Sequence, residues 1–130
     1  DGDAMIEVLP DSIVTIGGSA GASEPLRSLG FVVVEGEIVD SKCHLGVMKP
    51  GDGPTHRDCA VRCLLGRIPP MFAPHDSADL GRLSLVTQTV QPFIDAERFA
   101  GRRVSVRGEL LQRGTQKFLA LSRGDIHLLD

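Results

Sequence analysis

The sequence contains no tryptophan, no tyrosine and only five phenylalanines. Proteins that bind single-stranded nucleic acid stack the bases on aromatic side chains along a positively charged groove. This chain has few aromatic rings and a net charge of −3. Its Lys and Arg residues are interleaved with Asp and Glu, so no basic face for phosphate binding is indicated. We therefore expect no nucleic-acid partner.

Long apolar runs are also absent. The sequence has no stretch of about 18 apolar residues that would predict a transmembrane helix, and no basic-plus-apolar leader. Because the sequence begins at Asp1, we expect that an N-terminal segment has been removed, and that any membrane attachment runs through that segment. The apolar content of 42% over 130 residues is sufficient for one globular domain with its own core.

The order of the predicted elements favours a small antiparallel barrel. Residues 31–40, FVVVEGEIVD, predict a long first strand in which Gly36 marks a bulge or bend. The other predicted elements, in chain order, are strands over 71–73 and 82–90, a short helix over 92–101, a hairpin over 102–122 and a strand over 126–129. A bulged first strand and a helix before the fourth strand match the five-stranded Greek-key barrel called the OB-fold. The predicted class is mainly β, with one or two short helices.

The chain divides into an arm and one domain. Residues 1–30 are predicted to be an N-terminal arm or linker, because the Gly- and Ser-rich stretch 17–23 is flexible in composition and the segment is too short for a core. Residues 31–130 are predicted to form the OB-like barrel domain. Within it, residues 43–70 form a Cys/His insert after the first strand.

The insert contains all three cysteines and two of the four histidines. Its second half predicts a helix from Thr55 to Leu65: Thr55 is a candidate N-cap, Asp58 follows in the first turn, and Gly66 is a natural stop. The helix would carry His56, Cys59 and Cys63 at positions i, i+3 and i+7. At about 100° per residue, these three side chains lie within roughly 60° of one another and point the same way.

The full pattern, C-x12-H-x2-C-x3-C, predicts a metal site formed by Cys43, His56, Cys59 and Cys63. Three thiolates and one imidazole complete a tetrahedral shell, as in closed structural zinc sites. Zinc is the expected ion, and iron or copper would also suit thiolate ligands. Asp40 precedes Cys43 closely enough to hydrogen-bond the ligand histidine and orient it. Capping of a turn is the alternative role for Asp40.

Two other interpretations of the cysteines remain open. A Cys59–Cys63 disulfide is disfavoured, because Cβ atoms four residues apart on a helix are about 5–6 Å apart and a disulfide needs about 3.8 Å. A disulfide from Cys43 to either of the other two is feasible and would leave one thiol unpaired. The cysteines would otherwise be small core residues. The metal site is preferred because it alone explains why His56 shares the helix face.

Residues 35–72 resemble a group of bacterial, mostly uncharacterised proteins that carry G-x-[IV]-V-D-x-x-C, then H-x-x-C-A-x-x-C, then a Gly and a Pro. The matching positions are Gly36, Val39, Asp40, Cys43, His56, Cys59, Ala60, Cys63, Gly66 and Pro69. His44 departs from the pattern, since the relatives carry an aromatic residue there. The resemblance implies a small OB-like barrel in a secreted or membrane-anchored, extracytoplasmic protein. It implies no particular activity.

These observations predict a non-catalytic metal-binding module, with zinc in a structural role, that serves as an accessory domain of an extracytoplasmic, membrane-associated protein or complex. A protein partner is therefore expected. Four protein ligands leave no open position for a substrate, so no catalytic residue is predicted. The alternative is a redox module that uses a Cys43 disulfide or a redox-active metal for thiol exchange or electron transfer. The C-x3-C spacing differs from the C-x2-C of common oxidoreductases.

Overall fold

The computed structural model describes residues 8–14, 17, 24–47, 52–76 and 78–129. Within these ranges the strands are β1 Arg27–Asp40, β2 Pro70–Pro74, β3 Leu83–Val86, β4 Arg103–Arg113, β5 Gln116–Ala120 and β6 Ile126–Leu128. The single α-helix of the described ranges is α1, Arg57–Leu65. Short 3-10 turns occupy Pro54–His56, Ala78–Leu80, Ala96–Phe99 and Arg123–Asp125, and a π-helical turn occupies Cys43–Val47.

The first five strands close into a barrel. They pair in the order β1-β2-β3-β5-β4, and β4 pairs back onto β1. All pairings in the barrel are antiparallel except the parallel pair β3–β5, and β6 adds to β4 outside the ring. The predicted class is confirmed: a mainly β protein with a closed five-stranded barrel and a helical insert after the first strand.

Strand β1 is longer than predicted, and its register shift lies near its beginning rather than at Gly36. It begins at Arg27, within the segment predicted to be an arm. The register along β4 shifts between Ser28 and Phe31, where Gly30 has a φ of 96°. The register at Gly36 is regular, so of the bulge or bend predicted there the bulge is absent. Gly36 instead leaves no room for a side chain beside β2, because a Cβ atom there would lie 2.3 Å from the carbonyl oxygen of Ala73.

Gly36→Ala is expected to lower the free energy of unfolding by about 2 kcal/mol or more, because the added methyl group would overlap a backbone oxygen that cannot move alone. Urea unfolding of the metal-free protein would measure the loss. Gly124→Ala is the matched control, since a Cβ atom at Gly124 would meet nothing within 4 Å. That control should change stability by less than about 0.5 kcal/mol. Equal values for the two variants would contradict the close contact at Gly36.

The predicted helix over 92–101 is wrong. Only Ala96–Phe99 forms a turn, of 3-10 type. Pro92 forms a bridge with Val86, and Asp95 has a φ of 63°, in the left-handed region that an α-helix excludes. The buried residues of this segment are Phe93, Ala96 and Ala100.

Strand β3 is shorter than the predicted strand over 82–90. It ends at Val86, and a turn follows in which the Val90 amide donates to the Thr87 carbonyl at 2.9 Å. Val90 itself has a φ of 59°, which is uncommon for a β-branched residue. The turn brings the following segment back against β3, where the Phe93 amide donates to the Leu85 carbonyl at 3.1 Å.

The barrel interior supplies the main core, and α1 is part of it. Fully buried core residues include Ile38, Phe72, Leu83, Leu85, Val104, Val106, Leu119 and Leu121. Ala60 and Leu64 of α1 belong to the same cluster, and the helix contacts β1 and the turn at Ala96–Phe99. Burial of this apolar face fixes the helix against the barrel. Cys59 and Cys63, the sequence neighbours of the two buried residues, are thereby held beside the end of β1.

Candidate metal centre

Three cysteines from two parts of the chain converge at the end of β1. Cys43 begins the turn that follows β1, and Cys59 and Cys63 lie one helical turn apart on α1. The Cys43 sulfur lies 3.7 Å from the Cys59 sulfur and 3.9 Å from the Cys63 sulfur. All three sulfur atoms lie within 4.8 Å of one another. The sulfur atoms therefore form a triangle with Cys43 at its common corner.

The sulfur spacing fits metal ligation and not a disulfide. Three thiolates bound at about 2.3 Å in a tetrahedral shell lie about 3.8 Å from one another, which agrees with the observed 3.7 and 3.9 Å. A disulfide would require about 2.05 Å. All three cysteines are free, so the disulfide expected as an alternative is not formed. Cys43 is almost equally distant from both helical sulfur atoms, and no single pair is selected.

The helix begins later than predicted, and without the predicted cap. Pro54–His56 forms a 3-10 turn, α1 starts at Arg57, and His56 is the N-cap with no side-chain capping bond. Thr55 is therefore not the cap. The predicted end is confirmed, because the Gly66 amide donates to the Arg62 carbonyl at 3.0 Å. The 3-10 turn runs directly into α1, so His56 still points inward, with 3% of its surface exposed.

Asp40 joins the two halves of the site. It is the last residue of β1 and is 0% exposed. Its Oδ2 accepts the backbone N–H of Cys43 at 2.8 Å, and its Oδ1 lies 3.0 Å from His56 Nε2. Asp40 therefore caps the turn at Cys43 and also holds the imidazole of His56. The two roles considered for Asp40 from the sequence occur together.

Burial and hydrogen bonding set the ionisation of the site. Burial alone would raise the pKa of Asp40, but the hydrogen bonds from Cys43 and His56 outweigh it and hold the pKa below its usual value. Burial raises the pKa of the Cys43 thiol, and the nearby Asp40 carboxylate adds to this shift. Burial also raises the pKa of Cys63. Protonated thiols are poor nucleophiles, so Cys43 and Cys63 are not activated for nucleophilic attack, whereas a metal ion can displace their protons.

His56 lies in a second group of possible ligands. Asp40, Cys43 and His56 offer ligand atoms within 4.8 Å of one another, and this group shares Cys43 with the three-cysteine group. The structure does not place the four predicted ligands in one group at that spacing. Since Nε2 faces Asp40, Nδ1 is the nitrogen left for a metal. The four-ligand set of Cys43, His56, Cys59 and Cys63 stays a prediction.

One side of the site is buried and the other reaches the surface. Asp40, Cys43 and His56 are buried, at 0%, 3% and 3% exposure. Cys59 and Cys63 are only partly buried. The buried side consists of the end of β1, the turn after it and the N-cap of α1, and the partly exposed side belongs to α1 itself.

Glu37 also holds the insert in place, a role the sequence did not suggest. Its Oε1 accepts the backbone N–H of Gly53 at 2.6 Å, which ties the residues before α1 to β1. By alternation along β1, Glu37 lies on the face opposite to Gly36 and Ile38. The sequence therefore indicates a side chain that points away from the core. Its partner, Gly53, can be identified only once the position of the insert is known.

Glu37→Gln is expected to raise the free energy of unfolding at pH 7 by less than about 1 kcal/mol. Burial raises the pKa of Glu37 above its ordinary 4.5, although the bond from Gly53 acts in the opposite direction. The folded chain therefore holds the proton of Glu37 more tightly than the unfolded chain does. The protonated carboxyl contributes its full stability at a pH below the ordinary pKa, and this contribution is lost as the pH rises through the raised pKa of the folded chain. Glutamine stays neutral and still accepts from Gly53. Urea unfolding should show the gain at pH 7 and a smaller gain at pH 4; a less stable variant at pH 7 would show that the charged bond to Gly53 outweighs burial.

No protein-family model, curated protein or solved structure matches the chain. Among the described residues, no helix is both long enough and apolar enough to cross a membrane.

Proposed function

We propose that the domain is a metal-binding module in which Cys43, Cys59 and Cys63 supply three thiolate ligands and zinc is the resident ion. The observation that carries the proposal is the sulfur triangle, with 3.7 and 3.9 Å from Cys43 to the other two atoms. Thiolates favour soft or borderline metals, and zinc, copper(I) and iron belong to this set. Zinc suits a mixed sulfur and nitrogen shell in a structural site.

His56 is the proposed fourth ligand, through Nδ1. The Asp40 carboxylate would then orient the imidazole through Nε2, as carboxylates commonly do for metal-bound histidines. The 3.0 Å contact between these two groups supports this arrangement. The ionised state of Asp40, whose pKa is lowered by its hydrogen bonds, adds negative charge beside a cationic metal.

The proposed role of the metal is to fasten the insert to the barrel. Cys43 continues from β1, whereas Cys59 and Cys63 belong to α1, so a shared metal would cross-link the two. No substrate position is needed for this role, and we propose no catalytic residue. The proposed location is outside the cytoplasm, as the resemblance of residues 35–72 implies. The proposed setting is an accessory domain of a membrane-associated complex with a protein partner.

Metal content and thiol count test the proposal together. The chain would be produced both in the cytoplasm and in the periplasm of a bacterial host, and purified without chelator. We expect one zinc ion per chain by elemental analysis and native mass spectrometry, and three titratable thiols after chelation without reductant. A chain without stoichiometric metal from either compartment, and unable to bind added zinc, copper(I) or iron(II), would overturn the proposal.

His56→Gln is expected to keep one zinc ion per chain but to lower its affinity by at least about tenfold, because one of four ligands is lost. Competition with a chromophoric chelator would measure the affinity. His127→Gln is the matched control, since His127 is exposed on β6. Unchanged affinity in His56→Gln would remove His56 from the metal shell and leave a three-thiolate site.

A further inference from the structure

We infer that the bound metal is exchangeable through the Cys59–Cys63 side of the site, and that the incoming ligand is an anionic thiolate, from a small acidic thiol or from a cysteine on an acidic protein surface. The inference rests on the proposed metal site and adds the direction and chemistry of exchange.

Burial sets the direction from which a ligand approaches. Cys43 is 3% exposed, and Asp40 and His56 close the site behind it. The sulfur atoms of Cys59 and Cys63 belong to partly exposed residues on α1. A ligand from solvent therefore reaches the metal beside these two sulfur atoms, and the protein ligand that it displaces is one of them.

Charge selects the kind of ligand that approaches. The chain as a whole has a net charge of −3, yet residues 57–67 carry three arginines and one aspartate. Arg57, Arg62 and Arg67 are all exposed, and Arg62 directly precedes Cys63. Of the three, Arg62 is the arginine next to a proposed ligand, and its exposed positive charge attracts an anionic thiol and repels cationic competitors. The buried side offers the opposite environment, since Asp40 lies there.

The exchange step needs no change of oxidation state. The incoming thiolate would form a metal–sulfur bond as the bond from Cys59 or Cys63 breaks, and the released protein thiolate would take a proton from solvent. Repetition at the remaining ligands would move the metal to the incoming thiolates. The reverse sequence would load the site from a thiolate-bound metal.

Zinc transfer kinetics test the inference on the full chain loaded with one zinc ion. A chromophoric zinc acceptor would report release in the presence of a neutral thiol or an anionic thiol of similar thiol pKa, each over a range of concentrations. We expect the release rate to rise in proportion to thiol concentration, and to be about three- to tenfold faster with the anionic thiol. Arg62→Gln should reduce that preference, whereas Arg113→Gln, an exposed arginine at the β4–β5 hairpin, should leave it unchanged.

A second arm distinguishes the two sources of thiolate. Two peptides, each with one cysteine flanked by acidic or by neutral residues, would replace the small thiols. Faster transfer to the acidic peptide than to an equal concentration of the small anionic thiol assigns the exchange to a protein partner, and the reverse assigns it to a small thiol. Release at a rate independent of thiol concentration, or equal rates with neutral and anionic thiols, would overturn the inference while leaving the metal site intact. A chain that binds no metal would instead defeat the proposed function itself.

Discussion

Cys43→Ser is expected to abolish stoichiometric zinc binding, with a loss of affinity of at least about 100-fold. Cys43 is the common corner of the sulfur triangle and also belongs to the group formed with Asp40 and His56. Serine removes the soft ligand from both. Loss of an outer hydrogen-bond partner alone costs metal sites about 10- to 100-fold in affinity, so the loss of a central ligand should reach or exceed the upper value. Chelator competition monitored by absorbance would measure it.

Ser41→Ala is the matched control for this substitution. Ser41 is buried two residues before Cys43, and within the described part of the chain its Oγ has no hydrogen-bond partner. The control removes a buried oxygen from the same turn without touching either group of possible ligands, so zinc affinity should stay within about threefold of the original. Near-normal zinc binding by Cys43→Ser would show that the sulfur triangle is not the metal site.

Asp40→Ala is expected to lower the free energy of unfolding of the metal-free protein by about 3–5 kcal/mol. The carboxylate has two buried partners, the Cys43 amide at 2.8 Å and His56 Nε2 at 3.0 Å. Alanine leaves both without an acceptor, and unpaired buried polar groups are costly. Urea unfolding in the presence of chelator would isolate this effect from metal binding. In the metal-loaded protein, zinc affinity should also fall by about 10- to 100-fold.

Asp76→Ala provides the comparison, because Asp76 is exposed just after β2. It should change the free energy of unfolding by less than about 0.5 kcal/mol. A loss below about 1 kcal/mol in Asp40→Ala would mean that water or a rearranged side chain replaces the carboxylate. In that case Asp40 would not be the residue that holds the turn and the histidine together.

The strands of the barrel could be predicted because alternate residues of a strand point to the same face, so a strand with one buried face has an apolar residue at every second position. In β1, Val34 and Ile38 point inward and are buried as that alternation requires. The convergence of the cysteines was predictable for a similar reason. A spacing of four residues on a helix places Cys59 and Cys63 on one face, and Cys43 lies three residues after the last residue of β1.

Other features did not follow from the residue patterns that were used to predict them. Thr55 has the chemistry of a cap, but the 3-10 turn at Pro54–His56 moves the start of the helix beyond it. The left-handed conformation of Asp95 is incompatible with the predicted helix over 92–101, and it accompanies the return of that segment against β3. Local propensity does not encode either event. The pairing of Glu37 with Gly53 likewise depends on the path of the insert.

The three cysteines of the sulfur triangle are close together in the sequence, whereas the strands that close the barrel are far apart in the sequence. Cys43 is 16 residues from Cys59 and 20 from Cys63, whereas Ser28 and Glu109, bonded across β1 and β4, are 81 residues apart. The entropy lost on closing a loop grows with its length, and distant strand pairings are slow to form. The ligands therefore meet at a lower entropic cost than the strands that close the barrel. A metal ion bound early in folding would order the end of β1 before β4 pairs with β1, and would so act as a nucleus for folding.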